Sequence, residues 1–238
     1  MKLQKNIIIW SIILMLLSIS GIIFLDFQMK VYDVSNGIFT GVILTLATTI
    51  ILYNYEKNKL INKIYSNFSE IYYALYTIYI KLGKFLEEKD LSDAKFSLNY
   101  KLAMQISDTM ANLRNDEFTS FWDCKLRNQI KKLNNFSSKL YNLKNIIEAR
   151  NIDILQFEIA VKENILNNQH NMNNNQDLFK FRENLLIAIG RLHEYSCSLK
   201  IELDEIMKEF YNICNFSNKW NDKKQYFEKE VEARKNDL

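Results

Sequence analysis

"IYYALYTIYI", residues 71–80, sets ten uncharged residues, four of them tyrosine, between Glu70 and Lys81. As a membrane segment, a piece of soluble core or a binding surface, it would belong to three different architectures. A hydrocarbon core of about 30 Å needs about 20 apolar residues in helix, so this run does not span. Its neighbours give it a different sense. Ile64, Phe68, Ile71, Leu75, Ile78, Leu82 and Phe85 recur at alternating spacings of four and three. That is the pattern of a helix burying one seam against helical partners. Tyr72, Tyr76 and Tyr79 widen the seam on one side, as rings with a polar tip that reaches water or a partner. Ile71, Leu75, Ile78 and Leu82, with Tyr72, Tyr76 and Tyr79, are therefore expected to form a helix interface. What covers the tyrosines, the same chain or a neighbour, is left open by the pattern.

Upstream lie two longer apolar runs. Residues 7–25, IIIWSIILMLLSISGIIFL, are 19 residues without a charge, and residues 37–53, GIFTGVILTLATTIILY, are 17. Both fall in the spanning range. The 11 residues between them predict a tight hairpin connection. Lys2 and Lys5 precede the first run and Lys57, Lys59 and Lys63 follow the second, whereas the connection has only Lys30. The positive-inside rule then puts both termini in the cytoplasm. A cleaved signal peptide is the rival for the first run, but the apolar stretch continues through Leu25, beyond an ordinary signal core. On the second run Gly37, Gly41, Thr45 and Thr48 share one stripe, and Gly37-x-x-x-Gly41 allows close helix approach. Two readings of the stripe stand: packing within the hairpin, or packing against other subunits. Neither run holds an ionisable residue, the usual mark of an ion pathway.

The remainder is read as all-helical from its breakers. The 238 residues contain no proline and five glycines. Turn-rich strand folds draw on both residue types. Helices are expected from the second run through residue 88, from a Ser92 cap to Leu113, from Asn115 or Asp116 through Ile147 with Trp122, Leu126, Ile130, Leu133, Phe136, Leu140, Leu143 and Ile147 recurring at three or four, and over 151–166 with Ile154, Leu155, Phe157, Ile159, Val161 and Ile165. The polar tract NNQHNMNNNQ, 167–176, reads as a loop. A last regular helix follows, with Leu185, Ile189, Leu192, Ser196, Leu199, Leu203, Ile206, Phe210 and Ile213 in its seam. Residues 219–238 read as a peripheral helix or a frayed end. The fold class is thus all-α: an N-terminal two-span transmembrane hairpin over 1–55, then an elongated cytosolic helical bundle or coiled-coil-like domain over 56–238.

Chemistry is sparse. The net charge is +3 without a dense basic run, so no nucleic-acid partner is expected. Cys124, Cys197 and Cys214 are an odd number without a C-x-x-C spacing, which fits reduced thiols. His193 and Cys197 lie four apart and share a helix face, yet a metal site needs more ligands than this pair supplies. Nothing resembles a glycine-rich phosphate loop. No catalytic, cofactor-binding or metal-binding residues are assigned, no cofactor is expected, and the chain is read as a non-enzyme.

The layout of runs 7–25 and 37–53 with a helical remainder resembles bacterial two-transmembrane effectors of phage-defence systems. The resemblance implies a protein of the bacterial inner membrane whose activation by a partner perturbs that membrane. The partners expected are the lipid bilayer and either a cytosolic protein or further copies of the chain. A membrane-anchored signalling or scaffold protein, an oligomeric channel and an enzyme with a site around His193 and Cys197 are the alternatives.

Overall fold

The computed structural model describes residues 2–24, 30–88, 124–166, 172–214 and 219–234, and all of these except Lys219 and Arg234 are α-helical. The helices are α1 (Lys2–Phe24), α2 (Lys30–Glu88), α3 (Cys124–Leu166), α4 (Met172–Cys214) and α5 (Trp220–Ala233). No strand occurs among the described residues. A chain without proline has nothing to remove a helical hydrogen bond or to clash with the preceding turn, and its helices run long. The helix expected over 92–113, the caps at 115 and 116, and Trp122 lie outside the described residues.

Three boundaries differ from the sequence reading. α2 begins at Lys30, so helix occupies most of what was read as an 11-residue connection. Lys30 to Asn36 contains no breaker, and Gly37 is tolerated inside the helix at a cost of about 1 kcal/mol. α3 is one helix of 43 residues rather than two. Its buried positions Ile147 and Ile154 are seven apart, which keeps one face across the expected break, and Arg150 pairs with Asp153 at 2.6 Å within it. Helix α4 starts at Met172, so the second half of the amide tract is its first turn instead of loop.

The described residues fall into two units, divided inside α2 between Ile64 and Tyr65. In the first, the buried positions of α1 are Ile8, Ser11 and Ser18, and α2 buries Thr49, Tyr53, Ile61 and Ile64. Two of the hydroxyls there return to their own helix, Ser18 donating to the Leu14 carbonyl at 2.8 Å and Thr49 to that of Thr45. Such back-bonding satisfies these two hydroxyls in apolar surroundings. Most other apolar side chains of this unit are exposed, among them Trp10, Leu16, Leu17, Ile23, Leu44 and Ile51. Two helices are long and apolar enough to cross a membrane, over Gln4–Phe24 and within Asp33–Glu87.

The second unit holds the rest of α2 with α3, α4 and α5. Helices α3 and α4 run antiparallel: Gln129 meets Glu209, Lys139 meets Glu202 at 2.7 Å, and Phe157 meets Phe181. The predicted seams fill the interior, with Phe68, Leu82, Leu133, Phe136, Leu143, Ile189, Leu203 and Phe210 all fully buried. Phe68 of α2 packs on Phe136 of α3. The one polar residue in the α4 seam, Ser196, is also fully buried, and its hydroxyl donates to the His193 carbonyl at 2.8 Å.

Candidate functional site

Four tyrosines of the quoted stretch form a ladder on α2, and α4 and α5 meet on it. Tyr72 Oη donates to Glu228 Oε1 at 2.7 Å, and one turn further on Tyr76 Oη donates to Glu232 Oε1 at 2.9 Å. Tyr73 packs edge-on against Phe227. At the other end of α5 the buried Trp220 ring stands edge-on to Tyr72, with centroids 5.3 Å apart, and to Tyr65. Residue numbers rise together along both helices, so α5 runs parallel to α2. The helix that covers the tyrosines therefore belongs to the same chain, and it is the segment read as peripheral or frayed.

The α4 side contributes charge. Asp204 is buried and accepts hydrogen bonds from Trp220 Nε1 at 2.8 Å, Lys208 Nζ at 2.9 Å and Lys224 Nζ at 2.9 Å. Burial alone would push its carboxyl up, but the donors Lys208, Lys224 and Trp220 outweigh that and hold it below the ordinary carboxylate range. Lys200 Nζ sits 4.8 Å from the Tyr76 ring centre and 4.5 Å from that of Tyr79, a double cation–π contact. Lys223 stands over Tyr65, where burial lowers its ammonium pKa against the opposing influence of Glu70.

His193 stacks on Tyr79 with ring centroids 4.5 Å apart. Its imidazole lies opposite Gly83, where an added Cβ would meet Nε2 at 3.4 Å, ordinary contact distance. Burial pushes the His193 pKa down, Glu194 pulls it up and Lys200 lowers it again, with a net shift to the neutral ring. The ring is thus used as a flat aromatic surface at the α2–α4 contact.

The seven residues expected to form an interface divide accordingly. Ile71, Leu75, Ile78 and Leu82 are buried in the interior, Tyr72 and Tyr76 are buried under α5, and Tyr79 is half-buried under His193 and Lys200. The other predicted set is placed differently. Gly37, Gly41, Thr45 and Thr48 are all exposed, and nothing lies within 4 Å of a Cβ built on either glycine. The two threonine hydroxyls donate to their own helix, at the Gly41 and Leu44 carbonyls.

Glu228, Glu232 and Asp204 were not singled out from sequence, where Trp220 counts only as one of the sparse apolar points of the tail, with Tyr226, Phe227 and Val231. A signal for α5 did exist: Trp220, Lys224, Phe227 and Val231 recur at four, three and four, and Trp220 and Val231 are its two buried residues. Among the described residues no group of three or more His, Cys, Asp or Glu is placed to hold a metal ion, and none of Cys124, Cys197 and Cys214 is in a disulfide. The arrangement holds a helix by donor–acceptor pairs and ring faces, which is the chemistry of recognition. Comparison with protein-family models, with curated proteins and with solved structures finds no match to this chain.

Proposed function

We propose that this chain is an integral membrane protein that works by binding and assembly, without catalysis. In this reading α1 and the first part of α2 form a two-span hairpin in a bacterial inner membrane, with both termini cytoplasmic. Residues 56–238 form an elongated cytosolic bundle that binds a protein partner or another copy. α2, unbroken from Lys30 to Glu88, carries the event to the spans. A membrane-perturbing effector, on the plan of the two-transmembrane proteins that the layout resembles, is the form that this activity takes.

The observation that carries the reading is apolar exposure. Leu16, Leu17, Ile23, Leu44 and Ile51 are each 60–70% exposed, on helices without a charged residue over 7–25 and 37–53. Monomeric soluble proteins rarely expose contiguous apolar surface on that scale, whereas lipid covers it without cost. Alkaline carbonate extraction of expressing cells tests it. The chain is expected to stay in the membrane pellet, with a C-terminal tag protected from protease in intact spheroplasts. Release into the supernatant would remove the anchor, and tag cleavage in intact spheroplasts would reverse the topology.

One observation favours a channel as the second reading: the exposed Gly37-x-x-x-Gly41 stripe leaves a close-approach face free for another span. Dye or ion leakage on expression that is abolished by Gly41→Leu would support a pore. Equal permeability with and without the protein would eliminate it.

A further inference from the structure

The tyrosine ladder is built to receive a helix of defined chemistry. It offers two phenol donors one turn apart, Tyr72 and Tyr76, beside the ammonium of Lys200. α5 answers with two carboxylates one turn apart, Glu228 and Glu232, behind the aromatic anchor Trp220. Yet the hold on α5 is narrow. Of its 14 residues only Trp220 and Val231 are buried, and its N-cap, Lys219, makes no side-chain capping bond. The remaining contacts are made by the half-buried Phe227 ring against Tyr73 and by the polar ends of Lys224, Glu228 and Glu232. An element held in this way opens at lower free energy than the core helices beneath it. A helix of fewer than about 15 residues is also marginal by itself in water, so a released α5 needs a template to stay folded.

The one template with demonstrated fit is the same ladder on another copy. Exchange of an identical element between copies requires no new complementarity. Copies held in one membrane also meet at raised effective concentration. We infer that the tyrosine ladder binds α5 in trans as well as in cis, and that exchange of α5 between copies joins them. The inference rests on the reading that the chain assembles, and it names the surface and the segment that do so.

Crosslinking of full-length chains tests it. Two differently tagged copies are co-expressed with Cys124, Cys197 and Cys214 changed to Ser. One carries Tyr73→Cys and the other Phe227→Cys, positions whose rings lie 5.4 Å apart within a chain. Both substitutions leave Tyr72, Tyr76 and Trp220 in place. A single chain carrying both cysteines is the control, and an intrachain adduct with a short bismaleimide shows that the region has folded. The expected result is an additional adduct at twice the chain mass that carries both tags, requires both cysteines and is lost with Trp220→Ala. Intrachain adduct in the control with no mixed adduct would overturn the inference, as would a mixed adduct that survives Trp220→Ala. Carbonate extraction keeps the two readings separable. A chain released by carbonate that still gives the mixed adduct loses its anchor but not the exchange. One that stays in the membrane and crosslinks only within itself loses the exchange alone.

Discussion

Single residues decide how α5 is held. The Trp220 ring fills the space between Tyr65 and Tyr72 while its N–H satisfies the buried Asp204. Trp220→Ala removes both, and truncating a buried tryptophan costs about 3–5 kcal/mol. Hydrogen exchange should then show α5 amides losing protection while those of α3 and α4 keep theirs; unchanged α5 protection would contradict this role. Two titrations bear on the same region, and their signs agree. His193 is held neutral in the fold, whereas the unfolded chain takes up a proton near 6.5, so stability falls as pH drops below that value. Asp204 is held ionised, so its contribution is present above its ordinary pKa of 3.8 and is lost as pH falls through the depressed value. The thermal midpoint of detergent-solubilised protein should therefore decline in two windows. His193→Phe keeps the ring on Tyr79 and should flatten the upper one alone. A wild-type midpoint that does not change between pH 7 and 5 would count against the histidine assignment.

At the scale of elements, spacing was an effective guide and boundaries were not. The seams of α2, of α3 from Leu126 to Ile147 and of α4 from Leu185 to Phe210 follow from positions recurring at three and four, and those positions are the buried ones, whereas Leu155 and Ile159 of the expected 151–166 helix are exposed and Ile213 is half-buried. Such a seam is legible because burial of large side chains dominates the energetics of a long helix. The ends were less legible. Asn and Ser are weak signals, accepted both in first turns and in loops, so the amide tract did not reveal that α4 begins at Met172. α5 was nearly missed for a different reason. Its four-three-four spacing is only two turns of pattern set among charges, and much of its docking is by polar pairs whose partners lie far away in sequence, which no local period displays. Gly190 provides a test of how much intrinsic helix preference is left unused. It lies inside α4, and nothing comes within 4 Å of an added Cβ. Gly190→Ala should stabilise the protein by about 0.5–1 kcal/mol, read as a rise in thermal midpoint. A fall would mean that the position has a packing role that the open space does not suggest.

For the whole molecule, the sequence divides into a part that lipid would cover and a part that covers itself. The first is apolar all round and the second along one stripe. That contrast is visible in composition alone, because charge is absent from 7–25 and 37–53 and returns at Glu56. Leu44 tests the first part, since it is 70% exposed and near the middle of the second apolar run. Leu44→Asp places a carboxylate there at a cost of about 3 kcal/mol to insertion. The variant should partly leave the membrane pellet, while Asp at Tyr226 of α5, 64% exposed and outside both apolar runs, should not change fractionation. Equal fractionation of both would argue against lipid around α2. Less of the candidate site was legible than of the fold. The tyrosines were evident, but the carboxylates that meet them and the Asp204 cluster are long-range pairings that only the folded chain reveals.

The pairing of Tyr72 with Glu228 and of Tyr76 with Glu232 spans 156 residues of chain. Synthesis runs from the N-terminus at about 5–20 residues per second, so each ladder waits roughly 8–30 s for its own cover. During that interval a nascent chain presents bare aromatic rings and phenols to whatever is close by. Neighbouring ribosomes on one message would bring finished chains, each with an α5, next to unfinished ones without. The order in which the polypeptide is made thus gives every copy a period in which it can receive a helix before it has one to give.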